Sequence, residues 1–190
     1  MAIPATGTPI VQEVLQKTWK TARVLDWLVA RLQKRHYDFV LVLLPTEETH
    51  GQHKAASILA LEAVEQLPED QRPVVLGALA STKETDSYKT LPGYPITAAT
   101  SAEPEFHFDR DVHFGVGNTL SYQIVVNWVI AEHKSQGQFQ TLMGQDRFEN
   151  FWLLAASGGS ATEKATALFD EISPKPHPSA SSQNASTGSR

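Results

Sequence analysis

The segment YDFVLVLLPTEETHGQHKAASILALEAV, Tyr37 to Val64, decides the fold of this chain. It starts with a continuous apolar run, passes through a polar turn and continues as a stretch with helical hydrophobic spacing. An uninterrupted apolar run of this length is typical of a strand that is buried on both faces of a parallel sheet. The segment therefore predicts a strand, a turn and a helix of an α/β domain.

The polar turn predicts where the helix begins and which side chains it presents. Thr49 is read as the N-cap, and Gln52 completes a Thr-x-x-Gln capping box. His50 is then the first helical residue and His53 the fourth, so both imidazoles share a face above the carboxyl end of the strand. Ligands bind at that rim in open α/β sheets. Two histidines alone do not make a catalytic zinc site, which usually takes three protein ligands. The alternative interpretation is that these histidines only cap the helix or are solvated.

Further segments continue the alternation of helices and strands. The patterns predict a helix at 20–37 with a basic carboxyl end, a buried strand at 72–81, and a helix at 119–137 that ends at Gly137. Residues 105–115, EFHFDRDVHFG, alternate aromatic and polar side chains as a strand with one polar face does. Residues 146–157 are either a strand or a short helix. The order of elements predicts a parallel or mixed α/β sheet.

Two other stretches are polar. Residues 82–104 are rich in turn-forming residues and long enough for a functional loop near the open end of the sheet. From Ser157, and more clearly from Ser173, serine, proline, glycine and asparagine dominate. Such a composition buries too little apolar surface to offset chain entropy. The sequence therefore predicts one folded unit at 1–156 and a flexible tail at 157–190.

Composition restricts the class of function. The chain has 190 residues, a formal net charge of −5 and no cysteine. Without clustered Lys and Arg, a nucleic-acid or anionic-membrane surface is not expected, so small molecules or proteins are the expected partners. Without thiolates, a metal would be bound by His, Asp or Glu. Neither a signal peptide nor an apolar run of about 20 residues is seen, which predicts a cytoplasmic protein without a membrane span.

The opening segment resembles the second signature of the PIG-L/LmbE-like de-N-acetylase family, in which a strand ends in a His-x-x-His turn that opens a helix. The segment NWVIAEHKSQG, residues 127–137, is similar to a later helix of that family. The resemblance implies a Rossmann-like, mostly parallel sheet flanked by helices, and a zinc-dependent amide hydrolase acting on N-acetylglucosamine-like amino sugars or glycosides. It also implies that His53 is a zinc ligand and that His50 is the catalytic histidine beside the tetrahedral intermediate.

One feature of the family pattern is missing from the sequence. The first signature, His-Pro-Asp-Asp-Glu, supplies the other histidine ligand, an aspartate ligand and the general base of the family, and this chain does not contain it. The expectation is a domain shortened on its amino-terminal side, namely the carboxyl-terminal portion of a deacetylase domain. An unpaired sheet edge and an uncovered apolar face would follow, favouring self-association or completion by another chain.

Other side chains of this sequence could replace the zinc ligands of the missing first signature. In HFDRDVH, the side chains of His107, Asp109, Asp111 and His113 are acceptable zinc ligands, although a strand with a solvated polar face is the simpler reading. Glu47 and Glu48 are the carboxylates nearest to the two histidines in sequence, and the family pattern gives them no role as base. The alternative function is a non-catalytic relic or binding module that retains the fold.

A histidine, the four tryptophans and a glycosylation pattern remain to be interpreted. His133 is expected to be structural, although the resemblance places it near the pocket. The tryptophans are expected in the core or in subunit contacts, with stacking on a sugar as the alternative for an exposed one; they are Trp19, Trp27, Trp128 and Trp152. The acceptor pattern Asn184-Ala185-Ser186 is read as a chance match.

Overall fold

A computed structural model describes residues 8–84, 86–132 and 146–172. The five α-helices in these ranges are α1 (Thr8–Glu13), α2 (Thr21–Arg35), α3 (Gly51–Glu65), α4 (Tyr122–Glu132) and α5 (Ala161–Ile172). The six strands are β1 (Phe39–Leu43), β2 (Val74–Ser81), β3 (Phe106–Asp109), β4 (His113–Phe114), β5 (Leu120–Ser121) and β6 (Phe148–Leu153). The predicted helix at 20–37 and strand at 72–81 are confirmed within these bounds, and the helix predicted at 119–137 is confirmed for Tyr122–Glu132. The single strand predicted at 105–115 is instead two strands, β3 and β4, which belong to different sheets. Residues 146–157 form a strand, and the predicted end at Gly137 lies outside the described residues.

The central sheet has four strands in the order β1-β2-β6-β3. The pairing of β1 with β2 is parallel, with Phe39 opposite Val74 and Leu43 opposite Ala78. Strand β6 lies antiparallel to both of its neighbours. The α/β prediction is confirmed, but among the described strands the sheet is mixed and the prediction of a mostly parallel sheet is wrong. Hydrophobic periodicity shows that a segment is a strand without showing its direction, which the connections determine.

Helices cover both faces of this sheet. On one face, α2 and α3 pack on β1 and β2 around Val42, Leu61 and Val64, and Trp152 of β6 belongs to the same core. Trp152 is 1% exposed, whereas Trp27 and Trp128 are 62% and 58% exposed. The expectation that tryptophans lie in the core therefore holds for Trp152.

Helix α5 covers the other face and corrects the predicted domain boundary. Its buried residues Ala161, Ala165 and Phe169 recur every four positions and pack against β2 and β6. The Phe169 ring stacks on Phe106 with ring centroids 4.6 Å apart. The prediction of a flexible tail from Ser157 is therefore wrong as far as Ile172, because one amphipathic helix lies within a stretch of polar composition. Residues 173–190 lie outside the described part of the chain.

Strand β1 departs from its predicted environment. Val42 is 9% exposed, whereas Leu41 and Leu43, which point to the opposite face, are 59% and 42% exposed. In the described sheet β1 is an edge strand with one open face. Its apolar composition is thus that of a central strand, although its position is at the edge.

Candidate functional site: the cleft above strands β1 and β2

A cleft of about 660 Å³ opens where the parallel strands β1 and β2 end. We call it the rim cleft. Its apolar lining residues are Leu44, Leu79, Tyr88, Pro92 and Trp152, and its polar lining residues are Thr46, Glu47, Glu48, Asp86, Ser87, Lys89 and Thr90. One wall is the turn after β1 and the other is the segment after β2. The loop prediction for 82–104 agrees with this position, because residues 86–92 of that stretch line the cleft.

Tyr88 and Trp152, two of the apolar lining residues that form the floor of the rim cleft, are held by hydrogen bonds to carbonyls outside the lining. The Tyr88 hydroxyl donates to the carbonyl of Thr97 at 2.7 Å, and the Trp152 indole N–H donates to the carbonyl of Ala102 at 3.2 Å. Burial raises the pKa of the Tyr88 phenol, which therefore stays neutral near pH 7. The polar group of each ring is thus bonded to a backbone carbonyl that does not line the cleft.

The turn before α3 differs from the predicted capping box. The Thr49 hydroxyl donates to the carbonyl of Leu44 at 2.8 Å and accepts from the backbone N–H of Thr46 at 3.1 Å, so it closes the turn on β1. The N-cap of α3 is His50, whose Nδ1 accepts from the backbone N–H of Gln52 at 3.3 Å. Helix α3 therefore begins at Gly51, and the assignment of Thr49 as cap is wrong because its hydroxyl is already engaged.

Lys54 holds the acidic wall of the rim cleft against α3. The residue is 0% exposed, and its Nζ donates to the carbonyl of Glu47 at 2.7 Å. Burial lowers the pKa of the ammonium, while the carboxylates of Glu48 and Glu47 raise it by a smaller amount. Sequence reasoning missed this residue. The available signal was a lysine at an apolar position of α3, six and seven residues after two glutamates.

The two histidines lie close to each other at the start of α3. The ring centroids of His50 and His53 are 5.7 Å apart, in an edge arrangement. Two imidazoles on one zinc ion, each about 2.0–2.1 Å from the metal, have centroids roughly 5 Å apart. Because Nδ1 of His50 accepts a hydrogen bond, its neutral ring carries the proton on Nε2 and presents a donor there. This arrangement suits His53 better than His50 as a metal ligand.

The site as described does not fit zinc by itself. No group of three or more His, Cys, Asp or Glu side chains that could hold a metal is found in residues 8–84, 86–132 and 146–172. The histidine pair is also absent from the lining of the rim cleft. Within this part of the chain, His53 would be one ligand of an incomplete set, and no reaction step through a metal follows from its geometry.

The HFDRDVH segment forms ion pairs. Arg147 donates from Nε to one carboxylate oxygen of Asp109 at 3.0 Å and from Nη2 to the other at 2.6 Å, and its Nε lies 3.3 Å from Asp111. These bonds hold the pKa of Asp109 below its usual value. His107 lies 3.0 Å from Glu84. The first three of the four candidate ligands thus have protein partners, which neither the zinc interpretation nor that of a solvated polar face predicted.

The fourth candidate and the later motif complete the placement of the predicted residues. His113 lies on β4 opposite Ser121. His133 and residues 184–186 lie outside the described part of the chain.

No helix of residues 8–84, 86–132 or 146–172 is long and apolar enough to cross a bilayer. Comparison of the chain with family models, curated proteins and solved structures finds no match in any of the three.

Proposed function

We propose that this chain is a binding module that holds a small polar molecule in the rim cleft. The observation that carries the proposal is the position of the cleft at the carboxyl ends of the parallel pair β1–β2, where α/β proteins bind ligands. A fixed apolar floor with polar walls is the usual lining of a small-molecule site. Its volume lies within the range of about 300–1,000 Å³ that such sites have.

The lining favours a ligand with one apolar face and several hydroxyl or amino groups. Glu47 and Glu48 on one wall and Asp86 on the other accept hydrogen bonds and attract a positive charge, while Lys89 adds one donor. An amino sugar has these groups on its ring edge and C–H groups on its face. Amino sugars and their glycosides are therefore the ligand class that we propose.

Isothermal titration with glucosamine tests this proposal. We expect saturable binding to the wild type and at least a tenfold loss for Glu47→Gln, because roughly 1.4 kcal/mol of charge-assisted hydrogen bonding corresponds to that factor. Glu103→Gln is the matched control, since Glu103 is exposed and does not line the cleft. Equal affinity of wild type and Glu47→Gln, or no saturable heat up to about 10 mM glucosamine, would refute binding in the rim cleft.

A second candidate is a zinc-dependent de-N-acetylase of Rossmann-like fold, as the family resemblance implies. The separation of 5.7 Å between His50 and His53 favours it. In this hypothesis His53 would be one zinc ligand, and Nε2 of His50 would be a hydrogen-bond donor beside the bound substrate. The remaining ligands and the base would come from outside the described residues, in this chain or in another. Zinc, when bound, would polarise the acetyl carbonyl and activate water.

Zinc content after metal loading and desalting tests the second candidate. We expect His53→Ala to lose bound zinc and His50→Ala to keep it, because only the first replacement removes a ligand. His36→Ala is a control, because His36 is the C-cap of α2. Less than about a tenth of an equivalent in the wild type would exclude zinc catalysis by the chain alone. Equal loss in both variants would overturn the assigned roles.

A further inference from the structure

Strand β1 lacks the features that keep sheet edges apart. It lies at the end of the sheet order, and its five residues, FVLVL, include no charged residue and no proline. Edge strands are usually short, charged, bulged or interrupted by proline, because an unblocked edge pairs with another strand. Among the described strands only β2 pairs with β1, and the composition of β1 is that of a strand paired on both sides.

The direction of the backbone groups in β1 follows from its pairing with β2. The carbonyl of Asp38 accepts from Val74, and the N–H of Leu44 donates to Ala78. In a parallel pair the N–H and C=O of alternate residues point to the same side. Even-numbered residues therefore face β2, and Phe39, Leu41 and Leu43 direct their N–H and C=O groups to the free edge. The carbonyl of Leu43 also accepts from Ser57 at 2.7 Å, which leaves it one lone pair.

We propose that β1 pairs antiparallel with β1 of a second copy, about a two-fold axis that passes beside Leu41. The outward-facing residues 39, 41 and 43 are symmetric about Leu41, so each copy offers the groups that the other needs. Leu41 faces its own counterpart as a hydrogen-bonded pair, and Phe39 faces Leu43 of the second copy. The two four-stranded sheets then form one continuous sheet.

Charge at the two ends of β1 favours a second copy in the antiparallel direction. On the amino-terminal side the exposed Lys34 and Arg35 end α2 and the exposed Asp38 follows them, so that two positive charges and one negative charge give a formal charge of +1. On the carboxyl side the exposed Glu47 and Glu48 follow β1, a formal charge of −2. Antiparallel pairing brings the basic end of each copy to the acidic end of the other, twice in the dimer. A parallel arrangement would place like charges together. Each copy of the chain therefore carries both of the opposite charges that the pairing needs.

The side chains of β1 support the same arrangement. Leu41 and Leu43 are exposed on the face that α5 covers farther along the sheet, where its residues contact Val74 and Leu76. In the dimer, Leu41 and Leu43 of both copies lie side by side with the two Phe39 rings and form one apolar surface. The interface is at the small end of specific interfaces, for which a dissociation constant of about 1–100 µM is expected.

Sedimentation equilibrium of the full chain from about 1 to about 300 µM tests the pairing. We expect a monomer–dimer equilibrium in the wild type and a monomer for Leu41→Pro. Proline removes the outward N–H and is tolerated where that group faces solvent. Trp128→Lys is the control. It removes an exposed apolar side chain that is not part of β1, and this variant should still dimerise. A wild type that stays monomeric throughout, or a dimer that survives Leu41→Pro, would overturn the proposal.

Charge reversal tests the direction of pairing without relying on a proline. Glu47→Arg and Arg35→Glu should each raise the dissociation constant severalfold, and the double variant should recover at least part of the loss, because the two residues belong to ends of β1 that face each other in this arrangement. Circular dichroism confirms that each variant is folded. Additive losses in the double variant would exclude antiparallel pairing of β1.

Discussion

Replacing Phe169 by alanine tests whether α5 is part of the fold. The ring is 8% exposed, and it stacks on Phe106 at 4.6 Å and lies 5.0 Å from Phe151. Truncation of a buried phenylalanine costs about 3–5 kcal/mol, and the lost ring contacts place this site in the upper part of that range. A slope of about 2 kcal/mol per molar urea converts a loss of about 4–5 kcal/mol to a fall of roughly 2–2.5 M in the unfolding midpoint.

Urea unfolding followed by tryptophan fluorescence measures this loss, with Trp152 as the core reporter. Ile172→Ala is the matched control on the same helix, because Ile172 is 43% exposed and should change stability by about 0.5–1 kcal/mol at most. A change below about 1 kcal/mol for Phe169→Ala would refute the packing of α5. It would also restore the sequence-based prediction that the chain is flexible from Ser157 onward.

Three further replacements test individual contacts. His50→Ala should cost about 0.5–2 kcal/mol by leaving the Gln52 N–H uncapped, His50→Asn should cost much less, and equal losses would argue against the cap. Burial lowers the folded-state pKa of Lys54 below its ordinary value of 10.5, so the folded protein binds fewer protons there than the unfolded chain just below that pH. The wild type should therefore gain stability relative to Lys54→Met as pH rises toward 10.5. Urea midpoints measured between pH 8 and 10.5 would show this gain. Because Arg147 lowers the folded-state pKa of Asp109, stability conferred by this pair should be present above about pH 4 and lost in more acid solution. Arg147→Met should flatten that acid loss in pH-dependent unfolding, and an unchanged profile would contradict the pairing.

The sequence predicted the elements of this fold better than their arrangement. Hydrophobic spacing located α2, β1, β2 and α4, because each pattern is local. It did not show that β6 inserts antiparallel between β2 and β3, since strand order depends on contacts between residues far apart in the sequence. It also predicted that β1 is buried on both faces, whereas Leu41 and Leu43 are exposed on one of them.

The glycines before α5 show how composition misled the prediction. Gly158 and Gly159 belong to the stretch that composition predicted to be a flexible tail, yet a Cβ added at Gly158 would lie 2.9 Å from the backbone carbonyl oxygen of Arg72. Close packing therefore requires glycine there, and the same residue type that signals flexibility serves a tight contact. The polar composition around α5 concealed three buried residues at regular spacing.

A cleft lies at the rim of the sheet that the sequence indicated, but its lining does not include the predicted histidines. The sequence pointed to the rim at the end of β1, and the rim cleft lies there, but His50 and His53 do not line it. Glu47, Glu48 and the segment 86–92 do. Which side of a turn faces a cleft depends on hydrogen bonds such as those of Thr49 and Lys54, and these are set by the folded backbone.

Amide chemical shifts of the isotopically labelled protein during titration with glucosamine test the central proposal most directly. Binding in the rim cleft predicts saturable shifts that cluster at the amides of 46–48 and 86–90, with one dissociation constant for both walls. The amides near the histidine pair at 51–53 should move less. Shifts that cluster at 50–53 instead, or no saturable shifts at either wall, would contradict binding in the rim cleft.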